Sequence, residues 1–364
     1  MCSTTHLLET LKQFKVKSLD VKIETVQEGH IHNSYKVLHN SPPNIGYFLQ
    51  KINQSVFKDV EKLMTSIDLV TKHISHKLDK LTDTRFSVFK VIPTKDDKLF
   101  YKNSKNSQWR LYSLLPETHS FQKMETQEIA YECGKIQGQF INLLSDFPVQ
   151  KMYTAIPNFH NLEKRWEDFQ SILQKDSKNR AKVAIDEIDF AFQKIDTFLK
   201  LHHFIEEGSV PKRLIHNDTK CNNVLFDINN KAIAVIDLDT VMPGSLLFDF
   251  GDAIRTGANT ASEDEKNLQK VTLDLNLFKS YTKGFLQSTS AILTQNEISH
   301  LVSSTHYMTF IIGLRFLTDY LDGDLYYKTT YSEHNLIRTR VQWKFLQKLE
   351  KNEKEMHKIV MDLR

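Results

Sequence analysis

The segment Leu214–Asp227, LIHNDTKCNNVLFD, decides how this chain is read. It sets His216, Asp218 and Asn223 ahead of a short apolar run, Val224–Phe226. A polar turn, Asp227–Lys231, follows; a second apolar run, Ala232–Ile236, then ends in Asp237, with Asp239 two residues on. Apolar runs of this length bounded by turn formers are expected to be short strands. The two runs therefore read as a hairpin that delivers oxygen-bearing side chains to one place. Asp, Asn and Thr in succession are also ordinary turn formers, so one such loop would decide nothing. The pair does.

Phosphoryl transfer needs a set of this kind. One carboxylate orients the attacking hydroxyl and receives its proton, while an amide oxygen and a second carboxylate hold Mg²⁺ against a triphosphate. Magnesium takes hard oxygen ligands, which Asn and Asp supply. Protein kinases carry H-R-D-x-x-x-x-N followed by a metal-binding D-F-G. Here Asn217 replaces the arginine, and D-L-D (237–239) replaces D-F-G. Asp218 is the expected base, and Asn223 and Asp237 are the expected metal ligands. Asp239 is placed with the metal set, as a support for it or as a loop cap. His216 is expected to be structural rather than an acid or base, and Asp249 and Asp252 in FDFGDAIR to cap backbone N–H groups.

The bulk composition allows this chemistry. The 364 residues fit two lobes or domains of ordinary size, and 40% hydrophobic with 26% charged residues marks a globular chain. A net charge of +3, spread along the sequence, makes no case for nucleic acid or an anionic membrane as main partner. Cys2, Cys133 and Cys221 lie far apart with no C-x-x-C pair, which excludes a disulfide framework and a zinc ribbon. The first residues lack the apolar core of a signal peptide, and no apolar run reaches the roughly 18 residues of a membrane span. A cytoplasmic protein is expected.

Periodicity divides the chain near residue 116. Before it, HLLETLKQF has helical spacing, and LDVKIETVQ and NSYKVLH alternate as a hairpin. GYFLQKIN continues the sheet, VFKDVEKLMTSIDLVTKHISHKL is an amphipathic helix, and RFSVFKVIPT, KLFYKN and QWRLYSLL read as further strands. Beyond it, TQEIAYECGKIQGQFINLL, NLEKRWEDFQSILQKD and KVAIDEIDFAFQKIDTFLKLHHFIEEG are helical, and after the two motifs the chain is expected to stay helical to Arg364. The expected fold class is α+β: a small strand-rich N-lobe over residues 1–115 and a larger helical C-lobe over residues 116–364, which holds the catalytic loop.

The strings GHIHNSYKV, LQKIN, VFKDVEKLM, HNDTKCNNVLFD, IDLDTVMPG, FDFGDAIRTGAN and GLRFLTDYLDGDLYYK resemble the aminoglycoside phosphotransferase and choline kinase superfamily. Within it they look closest to the N-acetylhexosamine 1-kinases. The resemblance runs from about residue 28 to 328. It implies the bilobal protein-kinase-like fold, with ATP and Mg²⁺ as cofactors and a small-molecule acceptor, an amino sugar phosphorylated at its anomeric hydroxyl. It implies that Lys51, two residues after Leu49 and on the same strand face, meets the ATP phosphates, with Glu61 as its helix partner. The resemblance also implies that Gly29, in QEGHIHNS between two strands, is the glycine of the phosphate-covering loop, although this string holds no G-x-G-x-x-G. His30, Arg315 and Tyr326 are implied at the sugar. Arg315, in the almost wholly apolar MTFIIGLRFLTDY, could instead pair with Asp319 one helical turn on.

Two rivals remain at this stage. One is the same fold with another acceptor, such as choline or an aminoglycoside, against which an arginine near the site would argue. The other is a pseudokinase that binds nucleotide without chemistry, against which the full Asp218, Asn223 and Asp237 set argues. DYLDGDLYY fails the register of a calcium loop, and no H-E-x-x-H, G-x-S-x-G or P-loop string is present.

Overall fold

The structure is a computed structural model and describes residues 3–26, 31–40, 46–81 and 84–364. The chain divides into two compact units. The first takes Met1–His119, then Asp146–Pro157 and Leu225–Met242; the second takes Ser120–Ser145, Asn158–Val224 and Pro243–Arg364. The first unit thus ends its opening segment close to the boundary expected near residue 116, and also gathers two later segments, one of them most of the motif hairpin.

In the first unit, helix α1 (Thr4–Leu11) starts where the Ser3 hydroxyl accepts the His6 N–H. Strands β1 (Val21–Val26), β2 (Asn33–His39) and β3 (Gly46–Lys51) form an antiparallel meander. Helix α2 (Val60–Leu78) follows, capped by Asp59, which accepts the Lys62 N–H. Strands β4 (Tyr101–Lys102) and β5 (Gln108–Ser113) complete the sheet in the order β1-β2-β3-β5-β4. β3 and β5 pair Leu49 with Leu111, Gln50 with Arg110 and Lys51 with Trp109.

Because side chains alternate across a strand, this register assigns the two faces. Tyr35, Val37, Tyr47, Leu49, Trp109 and Leu111 face α1 and bury against Leu7, Leu11 and Phe14. Gln50, Arg110 and Tyr112 take the other face, where the Tyr112 hydroxyl lies 3.9 Å from the Met64 sulfur of α2. RFSVFKVIPT, expected as a strand, is not one. Ser87 donates its N–H to Ile233, Val91 bridges to Tyr112, and Thr94 bridges to Phe14. Its backbone is shared among three neighbours, and Pro93 has no N–H to give, so no continuous ladder forms.

In the second unit, α3 (Gln127–Leu143) is followed by α4 (Leu162–Lys175), α5 (Ile185–Glu206) and the strand β6 (Arg213–Ile215). The hairpin strands β7 (Val224–Phe226) and β8 (Ala232–Val235) and the short β9 (Met242–Gly244) carry the chain through the first unit's last segment. Then come α6 (Leu246–Gly257), α7 (Leu275–Thr289), α8 (Gln295–Asp322) and α9 (His334–Asp362). The core is built on close backbone approaches. Gly134 of α3 packs on the Tyr281 carbonyl of α7, and Gly251 of α6 on the Ser304 carbonyl of α8. α8 starts with a reciprocal capping box between Thr294 and Glu297.

The stretch after the motifs is not helical throughout. Residues 258–274 bend between α6 and α7, and Gly323 (φ 101°) ends α8 in the left-handed region. The loop beyond it is tied to Asp319, which accepts the N–H groups of Leu325, Tyr326 and Tyr327 at 2.8–3.0 Å. Among the described residues, no helix is long and apolar enough to cross a membrane.

Candidate active site

The loop that opens with His216 is fastened from below. Asp249, in the first turn of α6, accepts the His216 N–H on one carboxylate oxygen and the Asn217 N–H on the other, both at 2.7 Å. Its backbone carbonyl accepts the Thr219 hydroxyl at 2.6 Å. The Thr219 carbonyl accepts the side-chain N–H of Gln137, whose own oxygen takes the Tyr281 hydroxyl at 2.6 Å. Helices α6 and α3, the latter backed by Tyr281 of α7, thus hold the loop at His216, Asn217 and Thr219. Asn217 sits at φ 65°, a left-handed turn that Asn tolerates better than most residues.

This mounting presents Asp218. Its N–H donates to His216 Nδ1 at 3.2 Å, so His216 works as a brace, stacked edge-on to Phe140. The Asn223 amide nitrogen donates to the Asp218 carbonyl at 2.8 Å and to its carboxylate at 3.1 Å. That orientation leaves Asn223 Oδ1 as the acceptor end, the hard oxygen a magnesium ion would take. Lys220 places its ammonium 3.0 Å from the other carboxylate oxygen, and 28% of the Asp218 side chain stays exposed. Burial works to raise the Asp218 pKa, but the charges of Lys220 and His216 outweigh it and hold the group below its ordinary value. Asp218 is therefore a carboxylate at neutral pH, able to accept a proton. Lys220 in turn is raised by Asp218.

Burial raises Asp249 to about 6. His160, buried beside the loop, donates from Nε2 to the Asn217 carbonyl at 3.3 Å, and burial, then the Arg315 charge, lower it to about 3. Its Nδ1 is buried with no hydrogen-bond partner.

Arg315 does not pair with Asp319, whose oxygens are spent on the loop after α8 and on Asn335. Its guanidinium lies 4.9 Å from the Phe159 ring and 5.7 Å from those of Tyr326 and Tyr327. No carboxylate forms an ion pair with it among the described residues, although it is only 9% exposed. It lines a cavity of about 260 Å³ with Tyr326, Tyr327, Arg165 and Asp168. Arg165 is a further, half-buried cation here, with an unpartnered Nε, and burial, then Arg315, lower its pKa. The structure thus places Arg315 and Tyr326 in one cavity.

In the first unit, Asp237 adopts φ 60° at the head of a 3₁₀ turn, Leu238–Thr240. Asp239, expected with the metal ligands as a support or a loop cap, is held by three donor contacts on its two oxygens. Arg110 forks onto it, Nη2 at 2.8 Å from Oδ2 and Nη1 on Oδ1, and His32 Nε2 lies 2.7 Å from Oδ2. Burial raises the carboxyl, and Arg110 and His32 overcome this and hold it far below the usual range.

Lys51 also departs from expectation. It does share the face of Leu49, but that is the face covered by α1, opposite to Gln50, Arg110 and therefore Asp239. Glu61 is exposed in the first turn of α2, and no ion pair joins it to Lys51. Gly29 and His30 lie outside the described residues.

Arg110, His32, Lys220, His160 and Arg165 were missed from the sequence. A signal existed for Arg110. In QWRLYS, alternation sets Arg110 and Tyr112 against Trp109 and Leu111, so one strand face carries a cation.

The chain matches the phosphotransferase enzyme family (APH) over residues 25–272, more than half its length, and belongs to that family. Solved structures agree in fold at low identity. An aminoglycoside phosphotransferase from Alicyclobacillus acidocaldarius is 11% identical, with a TM-score of 0.63, covering 95% of this chain and 96% of that one. A spectinomycin phosphotransferase in complex with ADP and spectinomycin is 16% identical (TM-score 0.60; 97% and 99% covered). A choline kinase from Cryptosporidium parvum is 12% identical (TM-score 0.59; 97% of each chain covered). The fold is thus the mixed α and β, protein-kinase-like one: an antiparallel sheet in the N-terminal part and a helical C-terminal part. The protein is thus a member of the phosphotransferase enzyme family with the fold of these solved structures.

Proposed function

We propose that this phosphotransferase moves the γ-phosphoryl group of ATP to the anomeric hydroxyl of an N-acetylhexosamine. The observation that carries the chemistry is the Asp218 carboxylate, held ionised on a loop braced by Asp249. Asp218 takes the proton of the acceptor hydroxyl as the new O–P bond forms and the bond to the β-phosphate oxygen breaks, releasing ADP. Lys220 stands beside the carboxylate as a second charge for the phosphoryl oxygens. Asn223 Oδ1 and the Asp237 carboxylate are the oxygens offered to Mg²⁺; their pairing around one ion rests on the sequence motif. Bound there, Mg²⁺ neutralises charge on the phosphates.

The acceptor is read from the Arg315 cavity. An aromatic-flanked guanidinium suits the hydroxyls and amide carbonyl of an acetamido sugar, while Asp168 and Asp322 in the same lining offer acceptors to its hydroxyl protons. The spectinomycin phosphotransferase and choline kinase relatives make those acceptors the reading to exclude. ADP release is to be measured with N-acetylglucosamine, N-acetylgalactosamine, glucose, galactose, choline, kanamycin and no acceptor. Turnover confined to the N-acetylhexosamines, with NMR of a 1-phosphate product, is expected. Turnover on choline or kanamycin alone defeats the sugar assignment. Asp218→Asn should lower kcat by about 10²–10⁴-fold while leaving ATP binding nearly intact; unchanged turnover would remove Asp218 from its role.

A further inference from the structure

Asp239 is the meeting point of a buried polar cluster that the reaction does not by itself require. Its side chain is 4% exposed and that of Arg110 is 2% exposed. The Arg110 Nε donates to Gln50 Oε1 at 3.0 Å, and the Gln50 amide donates to Ser34 Oγ at 2.9 Å. Strands β2, β3 and β5 thus fix the guanidinium before it reaches Asp239. On the other side, His32 Nδ1 accepts the Asn53 N–H at 3.1 Å, so Nε2 bears the proton given to Asp239. The His32 ring stacks on Phe57 at 5.5 Å, which fixes its plane. Two rigid donors therefore hold one carboxylate in place.

That carboxylate sits one residue beyond Leu238 in the 3₁₀ turn that Asp237 heads in a left-handed conformation. A non-glycine residue there costs about 1 kcal/mol or more and persists only where its surroundings determine it. We propose that Arg110 is a positioning residue for the metal ligand Asp237, acting through Asp239, which is an anchor and not itself a ligand. This rests on the phosphotransfer reading given above. Arg110 fixes the turn to the sheet, His32 fixes it from the second side, and the Asp237 carboxylate is left at a set place and angle. Partners that orient a ligand are typically worth 10–100-fold in metal affinity.

The test is Mn²⁺ binding to the full-length protein in the presence of ADP, followed by the EPR signal of free Mn²⁺, with melting temperatures as a check on folding. Arg110→Gln and Asp239→Asn should each weaken Mn²⁺ by about tenfold or more, and the double variant should be no weaker than either single one, because both break one connection. Arg110→Lys, which keeps the charge and loses the fork, should fall between wild type and Arg110→Gln. Should Arg110→Gln fail to fold, His32→Phe keeps the stacking on Phe57 and removes one anchor bond; it should weaken Mn²⁺ in the same direction. If Asp239 is itself a ligand, Arg110→Gln frees it: Mn²⁺ then binds as tightly or more tightly, only Asp239→Asn weakens it, and the proposal is overturned. Unchanged binding in Arg110→Gln, or in His32→Phe where that variant stands in, overturns it as well, with the phosphotransfer reading untouched. Wild-type protein that binds no Mn²⁺ with ADP defeats both.

Discussion

Asp249 offers the sharpest test of how the catalytic loop is held. Its two oxygens accept the N–H groups of His216 and Asn217, yet burial raises its pKa from 3.8 to about 6. That gap corresponds to about 3 kcal/mol between the ionised and neutral forms. The sign follows from linkage. Below about pH 4 the carboxyl is protonated folded and unfolded, and its full contribution is present. As pH rises from about 4 to 6 the unfolded chain ionises first, so folded stability falls, and above about 6 the deficit stays constant. Asp249→Asn mimics the neutral form in size and has no such dependence. The stability of wild type relative to this variant, from urea unfolding followed by tryptophan fluorescence, should fall by about 2–2.5 kcal/mol between pH 4 and pH 7.

Activity should move the other way. An amide offers one acceptor to two N–H groups, so one of them loses its partner and the loop shifts. Misplacement of a reacting group by about 1 Å costs on the order of 10²-fold, and kcat of Asp249→Asn should fall by about that factor with little change in ATP binding. A strained brace kept for geometry is what this combination describes. A wild-type stability, relative to the variant, that stays flat or rises between pH 4 and pH 7 would refute the buried-carboxylate account, whatever the activity.

Two further outcomes are expected. Arg315→Met keeps the packing against Phe159, Tyr326 and Tyr327 but removes the donors; the acceptor KM should rise by about tenfold or more, the effect of losing about 1.4 kcal/mol, while the ATP KM stays within about twofold. Gly134→Ala should destabilise by about 1–3 kcal/mol in thermal unfolding, because a Cβ there meets the Tyr281 carbonyl and overpacking outweighs the gain in helix propensity.

Much of the fold was legible because its signals are local. Alternation in NSYKVLH and GYFLQK and the 3.6 period of α2, α3 and α4 are carried by neighbours in sequence, and these elements form where expected. RFSVFKVIPT failed because a strand needs a partner, and its backbone is divided among Ile233, Tyr112 and Phe14, none of them near in sequence. The catalytic loop was legible in residue type. Its fastening was not, since Gln137 and Tyr281 reach Thr219 from distant helices and look like ordinary core residues.

Lys51 and Arg110 show where local reading stops. The expectation for Lys51 was drawn from its shared face with Leu49, and that shared face is real. Which face of a sheet meets which element, however, is decided by what each side buries. Here α1 takes the face of Leu49, Trp109 and Leu111, so a lysine in that phase points away from Asp239. The opposite phase presents Gln50 and Arg110. A guanidinium buried there needs a carboxylate with both oxygens placed for it, and Asp239 supplies them from 129 residues away in sequence. That fork, with His32 on Oδ2, puts three donors on the two oxygens of Asp239, which makes it the anchor of the turn that Asp237 heads. Lys51 and Arg110 are therefore one question of phase: the register of a single strand, set by the helix that covers its far side, fixes where the cation stands and that Asp239 receives it.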